Sequence, residues 1–236
     1  MKLDNYYLKE PETYTLVKKN LDISKKKFFE TLNLKNIDSH SQIMLANFYA
    51  TRLKLLINKI LKKSNIDFLD CGCGFGFISK ELIKITNYNI YYCDPSISIK
   101  KIYNKIFNKE NFFHSDIQNL WRYKKKYDII YLREVYPFAR DSNFKNHKKL
   151  IQKLNEQLKI NGIIIFEQIK NKKDLFVNLP KFNFKYKIIP LLPVKFGKKN
   201  LLNLIFFKSS ILQLLIKIIY LIFNKKISHY VLLYKY

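Results

Sequence analysis

Apolar residues recur at helical spacing over residues 39–63, SHSQIMLANFYATRLKLLINKILKK, and Ser39 stands where an N-cap would be expected. The residues before this stretch have a less regular pattern that supports short helices at best. We therefore predict an N-terminal helical cap over residues 1–63, followed by a second unit over residues 64–236.

From residue 64 the pattern changes to short apolar runs that alternate with amphipathic stretches. Such an alternation is typical of βαβ units and of a mostly parallel sheet, so the expected fold class is α/β. The predicted strands cover residues 66–70, 89–94, 111–116, 127–132 and 162–169, and the predicted helices cover residues 77–85, 96–109 and 146–159.

After residue 170 the alternation becomes less regular, and two further strands are predicted over residues 183–192 and 229–236. Pro190 and Pro193 confine the first of them to a sheet edge or to a short span, because proline has no N–H to donate to a neighbouring strand.

Between these two strands lies an almost wholly apolar segment, residues 201–223, within a predicted helical insertion over about residues 198–226. Polar residues interrupt it, which argues against a membrane span of about 18–20 apolar residues. On a helix the polar residues form one narrow stripe, and lysines flank both ends. Three interpretations stay open: a lid over an acceptor pocket, a dimer interface, or a helix on a membrane surface near a lipid-linked acceptor. The stripe consists of Asn203, Ser210, Gln213, Lys217 and Asn224.

The net charge of +26 raises the question of a nucleic-acid partner. The basic residues are spread along the chain in pairs and triplets, and the sequence favours residues with A/T-rich codons, so a solvated lysine-rich surface is the preferred interpretation. The first ten residues are too polar for a signal peptide, and three cysteines make a disulfide framework improbable. We therefore predict a cytoplasmic protein. Cys71, Cys73 and Cys93 lack zinc-site spacing, so no metal is expected.

The stretch FLDCGCGFGF, residues 68–77, holds three of the five glycines of the chain. It places a glycine loop between a strand and a helix, where ligands bind in open α/β sheets. The spacing is G-x-G-x-G rather than the dinucleotide pattern G-x-G-x-x-G, which disfavours a nicotinamide dehydrogenase. Asp70, two residues before the first glycine, would repel a pyrophosphate and attract a cationic amino group. The expected ligand therefore carries a positive amino-acid end.

This loop, together with YYCDPS, HSDI, YDIIYLREV and LKINGIIIFEQ in the same order over about residues 64–170, resembles the class I S-adenosylmethionine-dependent methyltransferases. The resemblance implies a seven-stranded, mostly parallel Rossmann-like sheet with an antiparallel last strand, and S-adenosylmethionine as the cofactor. The cofactor-binding residues that it implies are Asp70, Cys71, Gly72, Gly74, Gly76, Asp94, Pro95, Asp116, Ile117 and Arg133.

In members of this family the residue that matches Asp94 hydrogen-bonds the ribose hydroxyls, and the residues that match Asp116 and Ile117 contact the adenine. A structural role stays open for both acidic residues. Asp94 could cap the helix that follows it, although Ser96 could do so instead, and Asp116 could cap the next short helix.

The residues after the fourth strand face the methyl group in the family. Here they lack the Asn/Asp-Pro-Pro-aromatic signature of enzymes that methylate base amines. Glu134 could contact the cofactor or orient an acceptor hydroxyl, and Arg133 could also bind a carboxylate or phosphate of the substrate. A salt bridge between these two residues is the structural alternative. His147 follows the same loop and is the candidate histidine base. Glu134 and His147 are thus the predicted catalytic residues.

These observations predict a methyltransferase that transfers a methyl group to an oxygen of a small molecule, such as a hydroxyl of a sugar or another metabolite. Three alternatives remain: an RNA methyltransferase that uses the basic surface, a membrane-associated enzyme with a lipid-linked acceptor, and a non-catalytic scaffold of methyltransferase-like fold.

Overall fold

The structure is a computed structural model that describes residues 37–74, 76–97, 99–100, 111–139, 141–169, 175–191, 211, 214–215, 218 and 228–235. Predictions that fall on other residues lie outside the described part of the chain. They include the part of the helical cap at residues 1–36 and most of the helical insertion within residues 192–227.

Seven strands form one sheet in the order β3-β2-β1-β4-β5-β7-β6. Strands β1 to β5 pair in parallel, whereas β7 lies antiparallel between β5 and β6. This arrangement confirms the predicted mostly parallel sheet with an antiparallel last strand, and it places Pro190 on an edge strand. The strands are β1 Asp67–Cys71, β2 Asn89–Asp94, β3 Phe112–His114, β4 Tyr127–Arg133, β5 Leu158–Ile169, β6 Tyr186–Pro190 and β7 Ser228–Tyr234.

Helices lie on both faces of the sheet. Residues 97, 99 and 100 are also helical, within the predicted helix 96–109. The predicted N-cap at Ser39 is wrong, because the helix already includes Ile37 and an N-cap requires non-helical dihedral angles. The helices are α1 Ile37–Ile60, α2 Phe77–Ile85, α3 Phe144–Glu156 and α4 Leu175–Asn178, and short 3₁₀ turns cover Leu120–Arg122 and Leu179–Lys181.

The boundary between α3 and β5 differs from the prediction at both ends. The helix begins at Phe144, two residues early, because the side chain of Asn143 accepts a hydrogen bond from the backbone N–H of Asn146 and caps it. It ends at Glu156, and the strand already begins at Leu158. The prediction placed residues 158–159 in the helix and began the strand at residue 162. The structure assigns residues 158–161 to β5, although this part of the strand is irregular: Ile160 is 87% exposed, and Asn161 has a φ of 62°, which is atypical of a strand.

Two apolar clusters fill the space between the sheet and its helices. Neighbouring residues of a strand enter opposite clusters: Phe68 packs with α1 and α2, whereas Leu69 packs with α3. The same alternation holds for Ile129 and Ile130 of β4. Because both faces are buried, the central strands read as continuous apolar runs in the sequence.

A buried ion pair joins α1 to the sheet. Arg52 of α1 and Glu167 of β5 are each no more than 3% exposed, and Nη2 of the arginine lies 2.5 Å from Oε1 of the carboxylate. The hydroxyl of Tyr131 donates to the other carboxylate oxygen over 2.6 Å, and Nε of Arg52 donates to the hydroxyl of Tyr230 over 3.2 Å. Helix α1 is thus tied to β5 by the buried ion pair and to β7 by the hydroxyl of Tyr230, while Tyr131 of β4 holds the carboxylate.

We predict that Glu167→Gln will lower the free energy of unfolding by about 3–5 kcal/mol, because it leaves the charge of Arg52 buried without its counter-charge. Urea denaturation measures this loss. The double variant Arg52→Met with Glu167→Gln removes both charges of the pair and should lose clearly less than the sum of the losses of Arg52→Met and Glu167→Gln. Additive losses would contradict the coupling.

Candidate active site

The carboxyl ends of β1, β2 and β4 meet at one edge of the sheet, and the glycine loop follows β1 there. Gly72, Gly74 and Gly76 have φ values of 76°, 50° and 65°, in the left-handed region that costs other residues roughly 1–2 kcal/mol. The backbone N–H groups of Gly72 and Cys73 both donate to the carbonyl oxygen of Cys93, over 2.7 and 3.1 Å. The loop is therefore fixed to the end of β2.

A second reason for glycine at position 72 is the close approach of Val135, which follows β4. A Cβ atom on Gly72 would lie 2.7 Å from Cγ2 of Val135, which is too close for any real contact. The segment after β4 thus packs directly on the glycine loop, and the two together form the floor of the candidate site.

Asp94, the last residue of β2, holds the loop through its side chain. Its Oδ2 accepts the N–H of Gly74 over 3.0 Å, and its Oδ1 accepts the N–H of Ser96 over 2.9 Å. A carboxylate has about four acceptor positions, so each oxygen retains capacity for a further donor. Burial raises the pKa of Asp94, and the two backbone N–H groups oppose that rise.

The helix-capping alternative for Asp94 is not required by the structure. Oγ of Ser96 accepts the N–H of Ile99 over 3.4 Å, so Ser96 provides the N-cap. Asp94 is left to organise the glycine loop.

Asp70 lies at the end of β1, only 5% exposed. Its Oδ2 accepts a 2.5 Å hydrogen bond from Oγ of Ser79 in the first turns of α2. Burial raises the pKa of Asp70 to about 7; the charge of Asp94 adds to this, whereas the Ser79 hydrogen bond and Arg133 oppose it. This carboxyl group is therefore about half ionised at neutral pH, and a nearby cation would favour its ionised form.

Arg133, the last residue of β4, lies between several of these groups. Its guanidinium carbon is 4.4 Å from the ring centroid of Tyr49, and its Nε is 3.8 Å from Oε1 of Glu167. The structure thus pairs Arg133 with Glu167, and the alternative of a salt bridge between Arg133 and Glu134 stays open. Because 29% of the Arg133 side chain remains exposed, its charge can reach a bound molecule.

Glu134 follows with a φ of 51°, which is uncommon for a residue other than glycine and costs about 1–3 kcal/mol. Its N–H donates to the carbonyl oxygen of Glu167 over 3.0 Å, and the residue is exposed. Strain of this kind is retained at functional sites when the surrounding structure over-determines it. The position is consistent with the predicted contact with a bound molecule.

Asp116 and Ile117 lie one strand further along the same edge. Oδ1 of Asp116 accepts the N–H and the side-chain amide of Asn119, over 2.8 and 2.9 Å, so this carboxylate caps a turn. Ile117 is 8% exposed and packs in the core. The carbonyl oxygen of Pro95 lies 2.9 Å from Nε2 of His114, which joins the ends of β2 and β3. The predicted adenine contact of Asp116 and Ile117 stays a prediction.

His147 lies on the buried side of α3, fully enclosed. Its Nδ1 is 2.9 Å from the side-chain amide nitrogen of Asn178, its Nε2 is 3.4 Å from the carbonyl oxygen of Pro137, and its ring packs against Phe138. Burial lowers its pKa. Protein groups occupy both ring nitrogens. These contacts give His147 a packing role, and its catalytic role stays a prediction that none of them supports.

The three cysteines are free thiols. Cys71 and Cys93 are buried in the apolar cluster on the α3 face. A hydrogen bond with Cys71, and then burial, raise the pKa of Cys93 well above its usual range. A protonated, enclosed thiol is a poor nucleophile, so these side chains pack beneath the loop.

Several residues of the site were not identified from the sequence: Tyr49, Arg52, Ser79 and Glu167. A polar residue facing the core gives one signal, because Arg52 interrupts an apolar helix face and Ser79 is fully buried in α2. The partners of Arg52, however, are 115 and 178 residues away in the chain. Only the fold brings them together.

The comparisons with known proteins agree with this geometry. A family model described as a methyltransferase domain matches residues 45–193, more than half of the chain. The malonyl-[acyl-carrier protein] O-methyltransferase of Calditerrivibrio nitroreducens is 28% identical over 145 residues, which is 57% of this chain and 54% of that protein. The match therefore spans about half the length of this curated relative.

Solved structures of two methyltransferases share the fold. The plantazolicin methyltransferase BpumL in complex with SAH has a TM-score of 0.56 at 18% identity, covering 98% of this chain and 99% of that one. The N-methyltransferase NodS from Bradyrhizobium japonicum in complex with S-adenosyl-l-homocysteine has a TM-score of 0.52 at 11% identity, covering 95% and 99%. The family match, the strand order and the glycine loop lead to one conclusion: this chain belongs to the class I S-adenosylmethionine-dependent methyltransferases.

Proposed function

We propose that this enzyme transfers the methyl group to an oxygen atom of a small acidic acceptor, and that Arg133 binds the acceptor's carboxylate. The observation that carries the proposal is the partly exposed guanidinium of Arg133 at the end of β4, two residues before Val135, which packs on the glycine loop. Membership of the family does not determine the acceptor class, so the acceptor and the roles of the site residues named below are both part of the proposal.

The residues at the sheet edge suit S-adenosylmethionine, whose sulfonium supplies an electrophilic methyl group. The glycine loop offers close access to the main chain, and the two oxygens of Asp94 can still accept hydrogen bonds from a ribose diol. Asp70 would face the cationic amino group, and its raised pKa would fall as the two charges approach. Holding the donor and the acceptor in line can supply roughly 7–11 kcal/mol of the barrier reduction.

An acidic acceptor agrees with the chemistry of the groups present. The planar guanidinium of Arg133 can bind a carboxylate through two parallel hydrogen bonds. A carboxylate oxygen is already ionised at neutral pH, so its methylation requires no base. A carboxylate acceptor therefore agrees with the enclosure of His147, the predicted histidine base, by protein groups. The O-methyltransferase named in the comparison with known proteins acts, by its name, on a malonyl group, which supports an oxygen acceptor.

A hydroxyl of a sugar or another metabolite is the second candidate acceptor. Glu134 favours it, because this exposed residue follows β4 directly and could accept the proton that a hydroxyl must lose. RNA is a further alternative acceptor, because the chain has a net charge of +26. No described residue favours it.

We predict that the affinity for S-adenosylhomocysteine will decrease as the pH falls through 7. Asp70 is ionised above its pKa of about 7 and attracts the amino group of the ligand, whereas below it the carboxyl is neutral. Between pH 8 and pH 6 the association constant should fall about tenfold, as one proton is taken up. Isothermal titration calorimetry measures it. Asp70→Asn should bind weakly with no such pH dependence; an equally steep profile in this variant would exclude Asp70 as the group responsible.

The acceptor class can be tested with a methyl donor that carries tritium in the transferred group. The enzyme is incubated with a bacterial metabolite extract, and the products are treated with mild alkali. A methyl ester of a carboxylate then releases volatile labelled methanol, whereas an ether or an N-methyl group retains its label. We expect volatile label; stable label only would contradict the acidic acceptor and favour a hydroxyl or an amine.

The role of Arg133 is tested with the acceptor purified from that reaction. Arg133→Gln should lower kcat/KM by about 10- to 100-fold, mainly through KM, because it removes one charge-assisted contact. Its affinity for S-adenosylhomocysteine should remain within a factor of about two at about pH 8.5, where Asp70 is ionised even without the opposing charge of Arg133. Arg122→Gln, at an exposed arginine of the first 3₁₀ turn, is the matched control. If Arg133→Gln instead loses affinity for S-adenosylhomocysteine, the arginine binds the cofactor.

A further inference from the structure

The chain between β6 and β7 leaves and re-enters the sheet at the edge that carries the candidate site. Pro190, at the end of β6, pairs with His229, and Ser228, at the start of β7, pairs with Ile169 at the carboxyl end of β5. Because β5 runs parallel to β1 and β4, its carboxyl end lies on the same side as the glycine loop. The predicted insertion is therefore attached at this edge.

Four apolar residues of the insertion are helical and exposed. Ile211, Leu214, Leu215 and Ile218 have exposed fractions of 71%, 59%, 49% and 46%. Their spacing of i, i+3, i+4 and i+7 places them on one face of a helix. Among the other exposed large apolar residues of the described chain, Tyr186 and Ile188 are neighbours on the edge strand β6 and the rest are far apart in sequence, whereas these four follow one another at the spacing of a helical stripe. Such a stripe marks an interaction surface, because water contact with it is unfavourable.

Charge indicates which partner covers the stripe. The sequence of this region contains lysines at 195, 198, 199, 208, 217, 225 and 226. No acidic residue occurs between 192 and 227, and the whole chain has a net charge of +26. A second copy of the chain would bring two strongly basic regions together, which is repulsive. An anionic lipid surface, by contrast, attracts lysines at about 1 kcal/mol each and accepts an apolar helix face.

The polar residues of the segment also agree with a helix on a membrane surface, because on a helix they would form one narrow stripe. A helix with one apolar face and nearby lysines lies in the plane of the membrane, with its apolar side chains below the headgroups.

We propose that the helix carrying Ile211, Leu214, Leu215 and Ile218 binds the surface of anionic membranes. Attached at the edge of the sheet that holds the glycine loop, it brings that edge to the bilayer. This inference does not depend on the acceptor class, and its test does not use methyl transfer.

Sedimentation of the full chain with lipid vesicles tests the proposal. Vesicles of phosphatidylglycerol and phosphatidylcholine should bind the protein, vesicles of phosphatidylcholine alone should bind it much less, and added salt should weaken the binding. The double substitution Leu214→Glu with Leu215→Glu should reduce the partition coefficient by roughly 100-fold, since it removes two apolar contacts and adds negative charge.

The matched control is Ile160→Glu, which changes an exposed isoleucine at the amino end of β5, the opposite edge of the sheet. Its partition coefficient should stay within about twofold of the wild-type value after correction for the small change in net charge. Binding of S-adenosylhomocysteine verifies that each variant is folded.

Two results would overturn the proposal. If the double variant binds anionic vesicles as tightly as the wild type does, the net positive charge of the protein causes the binding and the apolar stripe does not contribute to it. If analytical ultracentrifugation reveals a dimer that the double substitution dissociates, while no form of the protein binds vesicles, the stripe is covered by a second copy.

Discussion

The carboxylate of Asp94 holds the glycine loop in place, and the geometry of the candidate site depends on that contact. One oxygen accepts the N–H of Gly74 in the loop, and the other accepts the N–H of Ser96 at the start of the next helix. Burying a carboxylate is costly unless it is hydrogen-bonded. The loop and the helix each donate one hydrogen bond to Asp94, and Asp94 in turn fixes their positions. Both oxygens retain acceptor capacity, and in the proposed function the ribose hydroxyls use it.

A second set of buried charges organises the surroundings of Arg133, which we propose as the acceptor side of the site. Arg52 and Glu167 tie α1 to the sheet, and the same carboxylate lies close to Arg133, whose guanidinium rests on the ring of Tyr49. The strong pair between Arg52 and Glu167 leaves Arg133 with only a long contact to that carboxylate. Its charge is therefore positioned by the network without being fully neutralised, which is what binding of an anionic acceptor requires.

Much of this fold could be predicted from local pattern. The bounds of α2 and β2 agree with the prediction at both ends, because a glycine loop and turn residues delimit them. The errors fall where local pattern is weak, at Ser39 inside α1 and at the bulged start of β5. The site could be predicted only where glycines and acidic residues stand close in sequence. The pairing of Arg52 with Glu167, 115 residues apart, depends on strand order, and no short-range pattern encodes it.

The central claim is that Asp94 both shapes the loop and binds the ribose of S-adenosylmethionine, and one calorimetric comparison tests it directly. The wild type is titrated with S-adenosylhomocysteine and with its 2′-deoxy analogue, and the same pair of titrations is repeated with Asp94→Ala. The account predicts that the wild type binds the analogue about 10- to 100-fold more weakly, and that Asp94→Ala binds both ligands weakly and without preference. Equal affinity of the wild type for the two ligands would contradict it.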